Sequence, residues 1–379
     1  MCMILNEEQL AIKNIAGDVA KKVIAPMAAH YDETEEFPWD NVKALADMGF
    51  MGVVVPEKFG GAELDTVSYV AALEEVSKAC ASTGTVMAVH NSAAILPILM
   101  FGTEEQKEKY LPSLASGEVV GAFALTEPGA GSDAAQVATT AKEDGEYYVL
   151  NGTKCFITNG SAAGTFIIFA SKDRSLGIKG LTAFIVEKDT PGFIVGKHEK
   201  KMGIRASSTV ELAFDNCRVP KANQLGKDGE GFKIAMVTLD SARIGIAALA
   251  VGVASAAYDA AREYSKVREQ FGKPICANQA IGFTLADMAI QIEAARQLTY
   301  HAAELKDAGK PFGTEAAMAK TFASDIAVQV ALDAVQVMGG YGYSREYPVE
   351  RLLRDAKITQ IYEGTNQIQR VVISRSILK

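Results

Sequence analysis

The chain has 379 residues, 49% of them hydrophobic, which is enough apolar material for two or three domain-sized cores and excludes an intrinsically disordered protein. A formal net charge of −8 argues against nucleic acid as a standing partner, because phosphate neutralisation needs clustered Lys and Arg. The five cysteines (Cys2, Cys80, Cys155, Cys217, Cys276) contain no C-x-x-C pair and the four histidines (His30, His90, His198, His301) are isolated, so neither a disulfide framework nor a metal site is expected, and a reducing compartment follows.

No apolar run reaches the roughly 18–20 residues of a membrane span, and Met1–Asn14 shows neither a signal nor a transit pattern. A cytoplasmic chain without a membrane span is therefore expected.

In chain order, the first third reads as helix. Asn6 with Gln9 has capping-box spacing ahead of Ile12, Ile15, Ala16, Val19 and Val23, and Pro26 is expected to end that helix. Further helices are expected over Asp40–Met48, Thr66–Ala79, Thr85–Phe101 and Glu104–Ala115, separated by Gly and Pro clusters such as Pro56–Gly61. Near Val119 the pattern changes to short β-branched and aromatic runs: Val119–Leu125, Tyr147–Leu150, Thr165–Ala170, Thr182–Val186 and Val210–Phe214. The dipeptides Asp144-Gly145, Asn151-Gly152 and Asn159-Gly160 among them favour hairpin turns. After Gly229 helical spacing returns, with Leu285, Met288, Ile292 and Ala295 on one face and Met318, Phe322, Ile326 and Val330 on another. The fold class is α+β with segregated elements: an N-terminal helical domain (1–118), a middle β-barrel-like domain (119–226) and a C-terminal four-helix bundle (227–379).

No G-x-G-x-x-G stands between a strand and a helix, so a nicotinamide Rossmann site is unsupported, and so is a Walker P-loop. The chemistry-bearing segments lie elsewhere. Phe123 to Asp133 leaves a strand into a loop of small residues, where Thr126 and Ser132 offer hydroxyls to a flat ligand; a plain solvated turn is the alternative. Phe156-Ile157-Thr158 could flank an isoalloxazine ring or simply pack in a core. Arg268 ends a helix, available to a pyrophosphate or to the helix dipole, and Gly339-Gly340 after Gln336 is a helix C-cap or a phosphate nest. Asp240 and Arg243 share a helix face. Glu363, between Ile361-Tyr362 and Gly364, becomes a general base if its apolar neighbours desolvate it, and is an ordinary surface acid otherwise.

Together and in this order these segments resemble the acyl-CoA dehydrogenase family over essentially the whole chain, most closely the short-chain, butyryl-CoA type. The resemblance implies one non-covalent FAD per subunit of a homotetramer, completed by a neighbouring subunit, and an electron-transferring flavoprotein as redox partner. Carried over by position, Phe123, Leu125, Thr126, Gly131, Ser132, Phe156, Ile157 and Thr158 would hold the flavin part. Arg268, Gln270, Phe271, Gln279, Gln336, Val337, Gly339 and Gly340 would hold the pyrophosphate and adenosine, with Thr365, Asn366 and Gln367 touching FAD again. Ser132, Asp240, Arg243 and Gly364 would contact the acyl-CoA or enoyl-CoA. Glu363 matches the family's usual base. Relatives of the isovaleryl and long-chain type put theirs at the position that is Ala242 here, which cannot take a proton. Gln367 stands where many relatives have Glu, and His90-Asn91 where short-chain relatives commonly read Asn-Asn. The implied reaction is α,β-dehydrogenation of a short-chain acyl-CoA or the reverse reduction. An aryl- or cyclic enoyl-CoA reductase on the same site is the alternative, and an inactive assembly or docking protein the alternative of another class.

Overall fold

The structure, a computed structural model, describes residues 5–379, so Cys2 and the start of the expected first domain lie outside the described residues. Among the described residues seven helices come first: α1 (Glu7–Val19), α2 (Ala25–Thr34), α3 (Trp39–Asp47), α4 (Thr66–Ala79), α5 (Ala81–Val89), α6 (Leu96–Phe101) and α7 (Glu104–Ala115). Both hydrogen bonds of the Asn6–Gln9 capping box form. Pro26, however, does not end the first helix. A π-helical turn, Ala20–Ile24, takes up the register so that Pro26 falls in the first turn of α2, where its missing N–H is harmless. A second π-helical turn, His90–Ile95, joins α5 to α6.

Eight strands follow: β1 (Val120–Ala124), β2 (Thr140–Asp144), β3 (Tyr147–Thr158), β4 (Ala163–Ser171), β5 (Leu181–Glu187), β6 (Phe193–His198), β7 (Thr209–Pro220) and β8 (Gln224–Leu225). They make one sheet in the order β6-β7-β3-β2-β4-β5-β8, with β1 parallel to β4. Asp144-Gly145 does turn the β2–β3 hairpin. Asn151-Gly152 does not turn the chain: it is a bulge inside β3, where Gly152 at φ 149° passes so close to Thr139 that a Cβ would meet its Cα at 2.7 Å. Asn159-Gly160 is a turn but not a hairpin, since β3 pairs with β2 and β7, not with β4. The sequence pattern does not reveal β2 and β6, whose partly solvent-facing sides lack a continuous apolar run.

The chain closes with α8 (Gly231–Val267), the small ladder β9 (Glu269–Gln270) and β10 (Lys273–Pro274), then α9 (Gln279–Asp307), α10 (Gly313–Met338), α11 (Val349–Ile358) and α12 (Asn366–Ile377). Thirty-seven residues long, α8 packs against α4, α9 and α10 and puts most of its Ala, Ile and Val side chains in the largest core cluster. On α9 the expected stripe Met288, Ile292 and Ala295 is buried; on α10 Ile326 and Val330 are, while Phe322 is 37% exposed. Contrary to the expectation from sequence, three helical stretches, Ala81–Phe101, Gly231–Val267 and Gly313–Tyr343, are long and apolar enough to cross a membrane. Their most apolar windows are 83%, 78% and 50% buried inside the protein, so packing against neighbouring helices and strands accounts for much of that apolar length.

Acidic side chains tie the last third to the rest of the chain. Asp307, ending α9, accepts from the Thr66 and Val67 amides and so caps α4 from outside. Glu74 of α4 binds Arg296 at 2.9 Å and the Tyr300 hydroxyl at 3.2 Å on α9. Asp355 of α11 accepts from the Ile204 amide, and burial pushes its carboxyl up to about 6.

Candidate active site

The site is built where the N-terminal part of α8, the middle of α10 and the loop between α11 and α12 converge. Asp240 and Arg243 form the expected i, i+3 ion pair on α8, with Arg243 only 4% exposed and Asp240 half-buried, so the guanidinium lies inside the protein and not on its surface. Arg243 Nε reaches toward the Glu363 carbonyl at 3.5 Å. From α10, the fully buried Lys320 donates to the Gly364 carbonyl and to Asn366 Oδ1, each at 2.9 Å. Gln369 of α12 donates to the same two carbonyls, Glu363 at 3.1 Å and Gly364 at 2.8 Å.

These donors hold a strained turn. Glu363 has φ 55° and Gly364 φ 91°, both left-handed, and a Cβ at Gly364 would sit 2.8 Å from Gln369 Nε2. The turn aims the Glu363 side chain into a dry place: Oε2 is inaccessible to solvent and has no hydrogen-bond partner, and neither has Gln369 Oε1 in the same turn. Burial pushes the Glu363 carboxyl up to about 7, with Arg243 and Lys320 pulling the other way. An unpartnered carboxyl poised near neutrality beside two cations suits a general base. Ala242, 1% exposed, contributes only packing.

A second surface lies on the sheet domain. Phe123 packs half-buried against Phe169, Leu125 is buried, Thr126 is half-buried, and Gly131 and Ser132 are exposed on the loop that follows. Open space surrounds the Cβ positions of Gly129 and Gly131. Phe156 sits on a β3 bulge at φ 59°, which turns its ring out of the sheet to 65% exposure, while Ile157 is buried and Thr158 half-buried. An exposed aromatic on a strained bulge beside an open, small-residue loop fits a flat cofactor. Sequence reasoning missed what fixes the two segments together. Lys154, fully buried, donates to Glu127 at 2.8 Å and to the Leu125 carbonyl at 3.1 Å, and Glu127 also accepts from the Ala138 and Thr139 amides. Burial pulls Lys154 down to about 8.

The residues expected at the pyrophosphate gather elsewhere. Arg268, Gln270, Val337, Gly339 and Gly340 line one cleft together with Tyr264, Tyr341 and Glu346. The Arg268 guanidinium lies 5.4 Å from the Tyr341 ring centre. Phe271, at φ 55°, is 97% exposed, and Gln279 and Gln336 are exposed nearby in sequence. Arg268 follows Arg243 by 25 residues, just past the C-terminal end of the same helix, about 37 Å away at 1.5 Å per residue.

The segment after Glu363 and the His90-Asn91 pair are held largely by the protein's own contacts. The Asn366 side chain is turned inward, its Nδ2 donating to Ser324 at 2.9 Å and Asp325 at 2.7 Å while its Oδ1 accepts from Lys320, so it braces Lys320. Thr365 caps α12 through its hydroxyl, and Gln367 is exposed. His90 bridges the Leu114 carbonyl and the Gly121 amide, each at 3.0 Å, kept neutral by burial that pushes it down to about 4; Asn91 bonds Phe50, Val53 and Met87. Both brace helices and are spoken for by backbone.

Comparison with known proteins matches the acyl-CoA dehydrogenase N-terminal domain at residues 6–118, the middle domain at 122–217 and the C-terminal domain at 229–378. An acyl-CoA dehydrogenase of Bacillus subtilis is 56% identical over 376 residues, covering 99% of each chain. A short-chain specific acyl-CoA dehydrogenase of Clostridium acetobutylicum is 50% identical over 375 residues, again 99% of each. Butyryl-CoA dehydrogenase from Megasphaera elsdenii superposes with a TM-score of 0.98 at 49% identity over the full length of both chains. A chain solved in work on the electron transferring flavoprotein of Acidaminococcus fermentans and flavin-based electron bifurcation superposes at 0.99, with 53% identity and full coverage of both. The chain belongs to the acyl-CoA dehydrogenase family of flavin-dependent oxidoreductases.

Proposed function

We propose that the chain dehydrogenates a short-chain acyl-CoA, butyryl-CoA by preference, or reduces the corresponding 2-enoyl-CoA. The observation that carries this reading is Glu363: desolvated, unpartnered at Oε2 and raised to about 7. A thioester α-proton is weakly acidic, so the base must be dry and already aimed. Glu363 takes that proton, and its backbone N–H supplies one donor to the thioester carbonyl where negative charge develops. In reverse it returns the proton to the α-carbon. FAD, when bound, supplies the acceptor for the β-hydride.

Phe123 to Ser132 and Phe156 to Thr158 are the residues that would hold the flavin, with the Thr126 and Thr158 hydroxyls as polar contacts. Ser132, Arg243 with Asp240, and Gly364 would contact the thioester and CoA. The open cleft at Arg268, with Gln279 and Gln336 exposed near it in sequence, favours an adenosine site completed by a second copy of the chain, in a homotetramer. Exposed Phe271, Phe283 and Ile290, 97%, 60% and 66% accessible, favour it too. Domain borders after residues 118 and 226, a cytoplasmic setting and an electron-transferring flavoprotein as acceptor complete the proposal; the full-length likeness to the Acidaminococcus chain supports that partner.

The test is anaerobic titration of the FAD-loaded protein with a panel of thioesters. Butyryl-CoA should bleach the flavin fastest, with long-chain and arylpropionyl thioesters slower. Faster bleaching by the aryl or a cyclic thioester would move the substrate class, and no bleaching by any member would end the proposal.

A further inference from the structure

We propose that Lys320 is the positioning residue for the base: its ammonium fixes the Glu363–Gly364 turn through the Gly364 carbonyl and adds a positive charge to the surroundings of the carboxylate. This rests on the reaction assigned above.

Lys320 is 0% exposed, and among the described residues it makes no salt bridge. A buried ammonium without a carboxylate partner is costly, and a neutral donor would serve as well for a mere hydrogen bond to a carbonyl. The charges around the turn are otherwise matched. Asp240 pairs with Arg243 on α8, and Asp325 on α10 pairs with Arg370 of α12 at 2.9 Å while accepting from Asn366 and Gln360. Tyr69 of α4 and Tyr362 of the turn itself face the carboxyl as neutral phenols, both raised by burial. Glu363 is the acid left over, and Lys320 the base left over.

The electrostatics are reciprocal. Burial pulls Lys320 down to about 7, opposed by Glu363, and pushes Glu363 up to about 7, opposed by Arg243 and Lys320. Each opposes the other's shift, so removal of the Lys320 charge should move the Glu363 titration upward. Geometry adds the second half. Lys320 and Gln369 both grip the Gly364 carbonyl, and Asn366, itself held by Ser324 and Asp325, fixes the ammonium from the other side. Release of the grip lets Glu363 relax from its left-handed φ of 55° and swing off the substrate.

Two variants separate charge from grip. Lys320→Met, nearly isosteric, removes both; Lys320→Gln keeps a donor for the Gly364 carbonyl without the charge. In FAD-loaded, substrate-free protein, carboxyl carbon-13 NMR assigned through Glu363→Gln should find the Glu363 titration about one unit or more higher in both variants. Steady-state kinetics should give Lys320→Met a kcat lower by roughly tenfold or more with KM within about threefold, and Lys320→Gln should regain most of that loss above its shifted titration. A wild-type Glu363 titration in either variant overturns the inference, as does equal loss of kcat in both at high pH. If Lys320→Met does not accumulate, the Gln variant alone carries the titration test. Full turnover by Glu363→Gln would remove the assigned reaction while leaving the NMR titration test of Lys320 intact.

Discussion

The two ends of α8 solve opposite problems. At the Arg243 end Arg243, Lys320 and Gln369 donate to the carbonyls of a left-handed turn, and one carboxyl oxygen is left dry and unpartnered. At the Arg268 end the side chains are exposed and Phe271 stands almost wholly in solvent. The first lies within one chain and suits a proton; the second stands open to solvent, and the proposal has it hold a charged, extended ligand together with another copy. Left-handed backbone occurs at both ends, at Glu363 and at Phe271, so what separates them is burial: the first keeps its carboxyl from water and the second leaves its side chains in it.

The largest expected effect belongs to the Arg243 end. Glu363→Gln should keep bound flavin while substrate-dependent flavin reduction slows by roughly a thousandfold, about 4 kcal/mol of barrier, in stopped-flow measurement. Flavin lost along with activity would mean that the turn serves the cofactor and not the proton.

Next comes the brace between the two flavin segments. Glu127→Ala strands the buried Lys154 ammonium and should cost about 3 kcal/mol by urea denaturation, with weaker flavin retention. Lys154→Met with Glu127→Gln together should recover part of that stability, since the pair's loss is milder than an orphaned charge.

At the open end, Arg268→Ala should weaken FAD retention by about 2 kcal/mol without changing the pH dependence of the base. If that end is shared between copies, flavin loss from the variant should deepen as the protein is diluted. Retention independent of dilution would place the adenosine within one chain.

The smallest effect is on stability against pH in the flavin-free chain. Glu363 is raised from 4.5 to about 7, so the folded state binds the extra proton and its stability declines as pH climbs from 4.5 to 7. Lys320 is lowered from 10.5 to about 7, so its share of stability is present above 10.5 and is lost as pH falls from 10.5 to 7. Both penalties therefore meet near neutrality, and Glu363→Gln should raise the melting temperature at pH 7.5 by an amount corresponding to about 1–2 kcal/mol.

What the sequence made legible was local. The Asn6–Gln9 capping box, α4, α7 and the Asp144-Gly145 hairpin follow from neighbours in the chain, and the helix–sheet–helix order from changes of period. Glu363 could be singled out only through the family resemblance, since its neighbours left a solvated acid equally open and Ile361 proves 47% exposed. Lys320, Gln369 and the Lys154–Glu127 pair escaped because nothing local marks them: Lys320 meets Gly364 across 44 residues and Lys154 meets Glu127 across 27. A lysine in an Ala-rich helix reads as a solvated face until the fold closes over it. Pro26 and Asn151-Gly152 misled for a related reason, since a π-turn and a bulge absorb what would otherwise break an element.

The most direct measurement of the central claim follows the thioester's α-hydrogen and not the flavin. Butyryl-CoA incubated in heavy water with the FAD-loaded protein should exchange its α-hydrogens for deuterium under anaerobic conditions, and the Glu363→Gln variant, still yellow and still binding the thioester, should exchange none above the uncatalysed background. Equal exchange by both proteins would contradict a base at Glu363.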